Sequence, residues 1–245
     1  MYAKICSINI IMNILLTGCS FGVPNYFGPP GPPPEHHIEF LLKELGYNVY
    51  NCSLNGGSNL DALDRLEKYL QGDLIRHPAY TDKFLKLETH LSCIDWVIWF
   101  HTEILRDYIR HSKGIYLDQA IDNLSNLIYS KMLYLKNKFQ FKLAIIGGCS
   151  PIRKNLYKYV QPEFVIEDWK SDIVGIKLPE VQSLYALSAI EISPDSLEYK
   201  NNLLSKHKII LDKLQDSKHF FPDNIHPGTI PHADLVSKID KVFKN

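Results

Sequence analysis

The sequence predicts an α/β protein, a three-layer sandwich in which a central, mostly parallel five-stranded sheet is flanked by helices. Three observations carry that expectation. Short apolar, β-branched runs (Ile8–Leu16, Ile94–Phe100 and Phe141–Ile146) stop abruptly at Gly or polar residues, as strands buried on both faces do. Amphipathic helical patterns alternate with them, which makes parallel pairing the natural outcome. The 245 residues are 45% apolar, enough for one full core, and no composition shift marks a boundary, so residues 1–245 read as a single domain.

The first strand runs into Thr17-Gly18-Cys19-Ser20, where Gly18 and then Gly22 permit a sharp turn. Ser20 therefore follows the carboxyl end of a core strand, where open α/β sheets place their ligands, and its hydroxyl is a candidate nucleophile. Residues 27–34 form a Pro-rich loop, stiff and extended, that serves as a connector or as a wall beside the site. Glu35 to Leu45 reads as a helix with Ile38, Leu41, Leu42 and Leu45 on one face and Gly46 as its stop, and His36 and His37 read as its solvated start. Tyr47–Cys52 is the second strand. After Asn55-Gly56-Gly57, Ser58 or Asn59 caps a helix over Leu60 to Ile75. Ile94–Phe100 is the third strand, and His101, Thr102, Glu103, Arg106 and Asp107 cluster after it. A long helix over Tyr116 to Lys138 leads to the fourth strand, Phe141–Ile146. That strand ends in Gly147-Gly148-Cys149-Ser150, an echo of the first turn that makes Ser150 a rival nucleophile, although Pro151 follows at once. Phe164–Ile166 is a short fifth strand. Residues 176–196 carry no assigned element, Leu197 to Leu214 reads as a helix, and Ile230 to Phe243 as the closing amphipathic helix.

Before that last helix lies Phe220-Phe221-Pro222-Asp223-Asn224-Ile225-His226-Pro227-Gly228. One loop here can present both a carboxylate and an imidazole: Asp223 to orient and stabilise, His226 to deprotonate Ser20. Asp216 and His219 share the same spacing, but Pro and Gly bracket only the later pair.

These blocks resemble the SGNH (GDSL-type) hydrolases over nearly the whole chain. Gly18-Cys19-Ser20 matches the family's Gly-Asp-Ser, with Cys19 in place of Asp. Asn51-Cys52-Ser53-Leu54-Asn55-Gly56 matches the second block, and Asp223 to Pro227 matches Asp-x-x-His-Pro in full. His232 echoes a further His of the family's closing helix. The third block, usually Gly-x-Asn-Asp, is here His101-Thr102-Glu103, without the Asn. The resemblance implies the flavodoxin-like SGNH fold and a serine esterase with Ser20, His226 and Asp223 as its triad. The N–H groups of Ser20 and Gly56 are then the oxyanion donors, and Thr102 stands in for the missing Asn. His101, Glu103 and Arg106 are expected on a substrate loop, with Glu103 paired to Arg106 as the alternative to a catalytic role. No cofactor is implied. The expected substrate is a small acyl ester, such as an O-acetyl group on a glycan. The changed blocks also admit a catalytically weakened protein that only binds a glycan or a protein.

Composition excludes several classes. With 27 basic and 27 acidic residues, net charge is zero, and no electrostatic attraction to nucleic acid or an anionic membrane is expected. No metal site is expected, because neither HExxH nor CxxC spacing occurs. Five Cys that cannot all pair suit reduced thiols in the cytoplasm. The alternative is lipid anchoring at Cys19, since Leu16-Thr17-Gly18-Cys19 also reads as a lipoprotein box, preceded by one Lys and a broken apolar run. Met12 offers a second start, which makes residues 1–11 an extension.

Overall fold

The computed structural model describes residues 11–23, 37–54, 56–73, 75–76, 84–85, 94–111, 117–148, 152, 154–175, 201, 205 and 227–245. Its core is a five-stranded sheet made of β1 (Asn13–Gly18), β2 (Asn48–Asn51), β5 (Trp96–His101), β6 (Lys142–Gly147) and β7 (Phe164–Ile166). The spatial order is β2-β1-β5-β6-β7, and every neighbouring pair is parallel. Counted within this sheet alone, the order is 2-1-3-4-5, the doubly wound flavodoxin-like arrangement.

Residue alternation along the strands divides the core into two apolar layers. Leu15, Val97, Trp99, Leu143 and Ile145 face α2 (Asn59–Leu70), α3 (Ile104–His111), α4 (Leu117–Phe139) and α5 (Lys154–Val160). Ile14, Leu16, Ile98, Phe100, Ala144 and Ile146 face α1 (Ile38–Glu44), α6 (Trp169–Val174) and the closing helix α7 (Thr229–Phe243). Both faces are covered, which is why the strands read as unbroken apolar runs.

β2, β5 and β6 fall within two residues of the expected bounds and β7 coincides with them, whereas β1 begins at Asn13, five residues after Ile8, and residues 8–10 lie outside the described residues. Gly46 ends α1 as expected: at φ +92° it donates to the Lys43 carbonyl, while Tyr47 N–H returns to that of Leu42. Ser58 caps α2 in a capping box with Asp61. Three helices, α3, α5 and α6, go beyond the sequence reading, as does a small antiparallel pair, β3 (Ile75–Arg76) with β4 (Phe84–Leu85). The helix expected to reach Ile75 stops at Leu70, and Ile75 is strand. The Pro-rich loop, Ser150 and nearly all of the expected Leu197 to Leu214 helix lie outside the described residues.

Candidate functional site

Between β1 and β5 the chain order of the sheet reverses. At that crevice, beyond the carboxyl ends of the strands, open α/β sheets bind their ligands. Three segments of the sequence reading meet there: the turn after β1, the exit from β2 and the exit from β5.

The turn after β1 is built by close approach. Gly18 sits at φ +119°, and a Cβ there would lie 2.1 Å from the Phe100 carbonyl oxygen. Only glycine lets β1 meet β5 so tightly, and Cys19 N–H donates to that same oxygen at 3.1 Å. The backbone then enters a 3₁₀ turn, Ser20–Gly22, closed by Gly22 N–H on the Cys19 carbonyl at 3.0 Å. Cys19 itself is 1% exposed, and β1, which ends beside it, joins β2 to β5. A Cβ on Gly22 would lie 2.3 Å from Ser53 Oγ, so this turn rests directly on the exit from β2.

His37 corrects the solvated-start expectation. It is buried as the N-cap of α1, with Nδ1 accepting the Glu39 N–H at 3.3 Å and Nε2 at 3.4 Å from the Phe21 carbonyl oxygen. Burial pushes its pKa down to about 4, so the imidazole is neutral and Nε2 carries the proton directed at Phe21. The His37 ring packs 4.8 Å from the ring of His232, in the first turns of α7, and His232 packs at 5.3 Å against Trp169. The start of α7 is thereby fastened beside the Ser20 turn.

Asn51 ends β2. Its Nδ2 donates to the Gly22 carbonyl at 2.6 Å and to Glu39 Oε2 at 2.8 Å, and its Oδ1 accepts the Ser53 N–H at 3.0 Å. Farther along, Gly56 turns at φ +62°, and its carbonyl accepts from Arg110 Nη2 at 3.1 Å. Arg110 is also paired with Asp61, so α3 braces the Gly56 turn. Beside this turn a cleft of about 450 Å³ is lined by Leu54, Asp61, Asp64, Arg65, Lys68, Ile75 and Arg110.

The exit from β5 differs most from expectation. His101 is the last residue of that strand and not part of a loop. It is 2% exposed, with ring centroids of Trp99 and Tyr129 at 5.0 and 5.7 Å, and neither ring nitrogen makes a hydrogen bond. Burial drives its pKa down to about 3 against the opposing pull of Glu103. The Thr102 hydroxyl donates to Glu103 Oε2 at 2.7 Å, so its one proton is committed to that carboxylate in place of an oxyanion. Glu103 is wholly buried and pairs with Arg106 Nε at 2.5 Å, the structural pairing that the sequence offered as its alternative. With His101 and Glu103 buried, only Arg106 of the expected substrate-loop trio keeps an exposed fraction, 15% of its side chain.

Behind them stand two residues whose supporting role the sequence does not show, the cap candidate Asn59 and Asp107 of the cluster after β5. The Asn59 amide holds both backbone groups of Thr102, accepting its N–H and donating to its carbonyl, each at 3.0 Å. The Asp107 carboxyl accepts from the N–H groups of Asn59 and Leu60 and from Asn59 Nδ2, at 3.2, 2.8 and 2.9 Å. Burial raises the Asp107 pKa against those bonds. The one available signal was an Asp on the apolar face of a short helix, between Leu105 and Tyr108. Asp223 and His226 lie outside the described residues, and so does the side chain of Ser20. Pro227, next in the chain after His226, is buried.

No protein-family model matches the chain, and no curated protein does. Solved structures do. The chain is similar to the psychrotrophic esterase EstA from Pseudoalteromonas sp., at 13% identity and a TM-score of 0.45, over 95% of this chain and 99% of that one. It is similar to the acetyl xylan esterase AlAXEase at 12% identity and a TM-score of 0.42, over 94% and 98% of the two chains. An acetyl xylan esterase from Geobacillus stearothermophilus overlays at 14% identity and a TM-score of 0.40, over 95% of each. Among the described residues no helix is long and apolar enough to cross a membrane.

Proposed function

We propose that this chain is a serine ester hydrolase of SGNH type. The observation that carries the proposal is the convergence at the switch point. The Ser20 turn lies between β1 and β5, and the first turns of α7 are fastened beside it through His37 and His232. His226 is bonded to buried Pro227, two residues before that helix begins. The Ser20 hydroxyl then attacks an ester carbonyl while its proton passes to His226, whose imidazolium Asp223 stabilises. Collapse of the tetrahedral intermediate expels the alcohol, which takes the proton from His226. Water repeats the sequence on the acyl-enzyme and releases the acid. The N–H groups of Ser20 and Gly56 face the oxyanion, while the Thr102 hydroxyl stays with Glu103 in the wild type. The substrate is a small acyl ester, such as an O-acetyl group on a carbohydrate.

A panel of p-nitrophenyl esters from acetate to octanoate, with fluorophosphonate labelling, tests this. Activity falling with chain length, and lost in Ser20→Ala and His226→Ala but kept in His219→Ala, is the expected result. Equal losses in both His variants would refute the chosen pair. The hold of Glu103 on Thr102 favours one second reading, a weakened hydrolase that binds its ligand without turnover. Under that reading the folded wild type leaves Ser20 unlabelled.

A further inference from the structure

We propose that Asn51 is a positioning residue for this reaction: its amide clamps the turn that carries Ser20, and Glu39 fixes the amide. The inference rests on the hydrolase function above.

Asn51 is 2% exposed and spends both amide ends locally. One Nδ2 bond reaches the carbonyl of Gly22, two residues past Ser20, at 2.6 Å, and Oδ1 holds the N–H of Ser53 at 3.0 Å. Gly22 and Ser53 are the surfaces that pack without room for a Cβ. A single side chain therefore ties the far end of the nucleophile turn to the strand exit it rests on. An amide can be flipped, and the unflipped state is selected by a buried acceptor. Glu39 Oε2 takes the second Nδ2 bond at 2.8 Å, while Lys43 holds Glu39 Oε1 at 2.7 Å. A flipped amide would set Oδ1 against both the Gly22 carbonyl and the Glu39 carboxylate, three acceptors without a proton. The entry of the turn is fixed independently by Cys19 on Phe100, so loss of Asn51 frees the exit and lets the turn rotate about its entry. A displacement of about 1 Å at a reacting atom costs on the order of 10²-fold in rate.

Asn51→Leu and Asn51→Asp test the clamp on the full chain, with the p-nitrophenyl ester that the wild type hydrolyses best. Both should lower kcat about 10- to 100-fold at pH 8 with KM within about 2-fold, since ground-state binding is untouched. Asn51→Asp removes both donors and sets a carboxyl against the Gly22 carbonyl and the Glu39 carboxyl, so its kcat should fall at least as far as that of Asn51→Leu. Hydrogen exchange at residues 19–23 should accelerate in Asn51→Leu. Ile239→Val, a core change in α7, controls for lost stability and should keep kcat. Should Asn51→Leu fail to fold, Asn51→Asp at pH 8, read for kcat and for exchange at residues 19–23, carries the test. An active wild type whose Asn51 variants keep kcat, or whose exchange at 19–23 is unaltered, overturns the clamp. A folded wild type with no labelling at Ser20 overturns the hydrolase function instead.

Discussion

His101→Phe should stabilise the protein in acid more than at neutrality. His101 is 2% exposed, packed between the rings of Trp99 and Tyr129, and neither ring nitrogen is bonded. Its pKa falls from an ordinary 6.5 to about 3. Because the folded value is depressed, the unfolded chain binds the proton first. Stability is present above pH 6.5 and is lost as the pH falls towards 3. At pH 5 proton binding by the unfolded imidazole costs about 2 kcal/mol, against about 0.2 kcal/mol at pH 7. Phenylalanine fits the same aromatic slot and removes that linkage. For a chain of this size 1 kcal/mol moves Tm by about 2–4 °C, so the gap between variant and wild type should widen by roughly 4–8 °C from pH 7 to pH 5. At either single pH, relief of two unbonded nitrogens competes with overpacking, so the difference of differences is the quantity to read. Calorimetry on both proteins at both pH values measures it, and the linkage of His37 is common to both and cancels. A gap of equal size at the two pH values would refute the neutral, buried imidazole.

Gly18→Ala should cost about 4 kcal/mol or more, because a Cβ would be driven into the Phe100 carbonyl at a φ that L-residues rarely adopt; a urea midpoint near that of wild type would contradict it. Glu103→Gln should raise esterase kcat several-fold at some cost in Tm: the new amide can accept from Arg106 and donate to Thr102 Oγ1, which turns the threonine proton outward. Thr102→Val should then leave wild-type kcat nearly unchanged and cancel the gain in the Glu103→Gln background, and a large kcat loss from Thr102→Val alone would show the hydroxyl already serving the oxyanion.

The sheet was legible because its physics is written locally. A strand covered on both faces must be apolar throughout, and β1, β5 and β6 announce themselves as such runs, each closed by a Gly or polar residue. α3 escaped because its eight residues start three positions after the end of β5 and its buried face includes a carboxyl, Asp107. His37 misled for the opposite reason: a polar residue at a helix start reads as solvated, and only its contact with Phe21, 16 positions away, shows why it is inside. The site's loops were legible as turns, but their supports were not. Asn51 meets Glu39 across 12 residues, and Asn59 meets Asp107 across 48. No window of sequence carries such pairs.

Those supports follow from a problem that every parallel sheet has at its carboxyl edge. Past the last ladder bond the strands part, and backbone groups that are still buried lose their neighbours. Here that happens on either side of the β1/β5 crevice, and each time an asparagine answers. Thr102 loses both its N–H and its carbonyl, and one Asn59 amide satisfies the two. Gly22 presents a carbonyl and Ser53 an N–H, and one Asn51 amide satisfies those. A carboxylate could accept but not donate, and a lysine could donate but not accept, whereas an amide carries both groups side by side and closes a mixed pair. Each amide is then oriented by a buried carboxyl, Glu39 for Asn51 and Asp107 for Asn59. Both flanks of the crevice are thus held by short, saturated networks before any ligand arrives, which is the arrangement that electrostatic catalysis requires of its backbone donors.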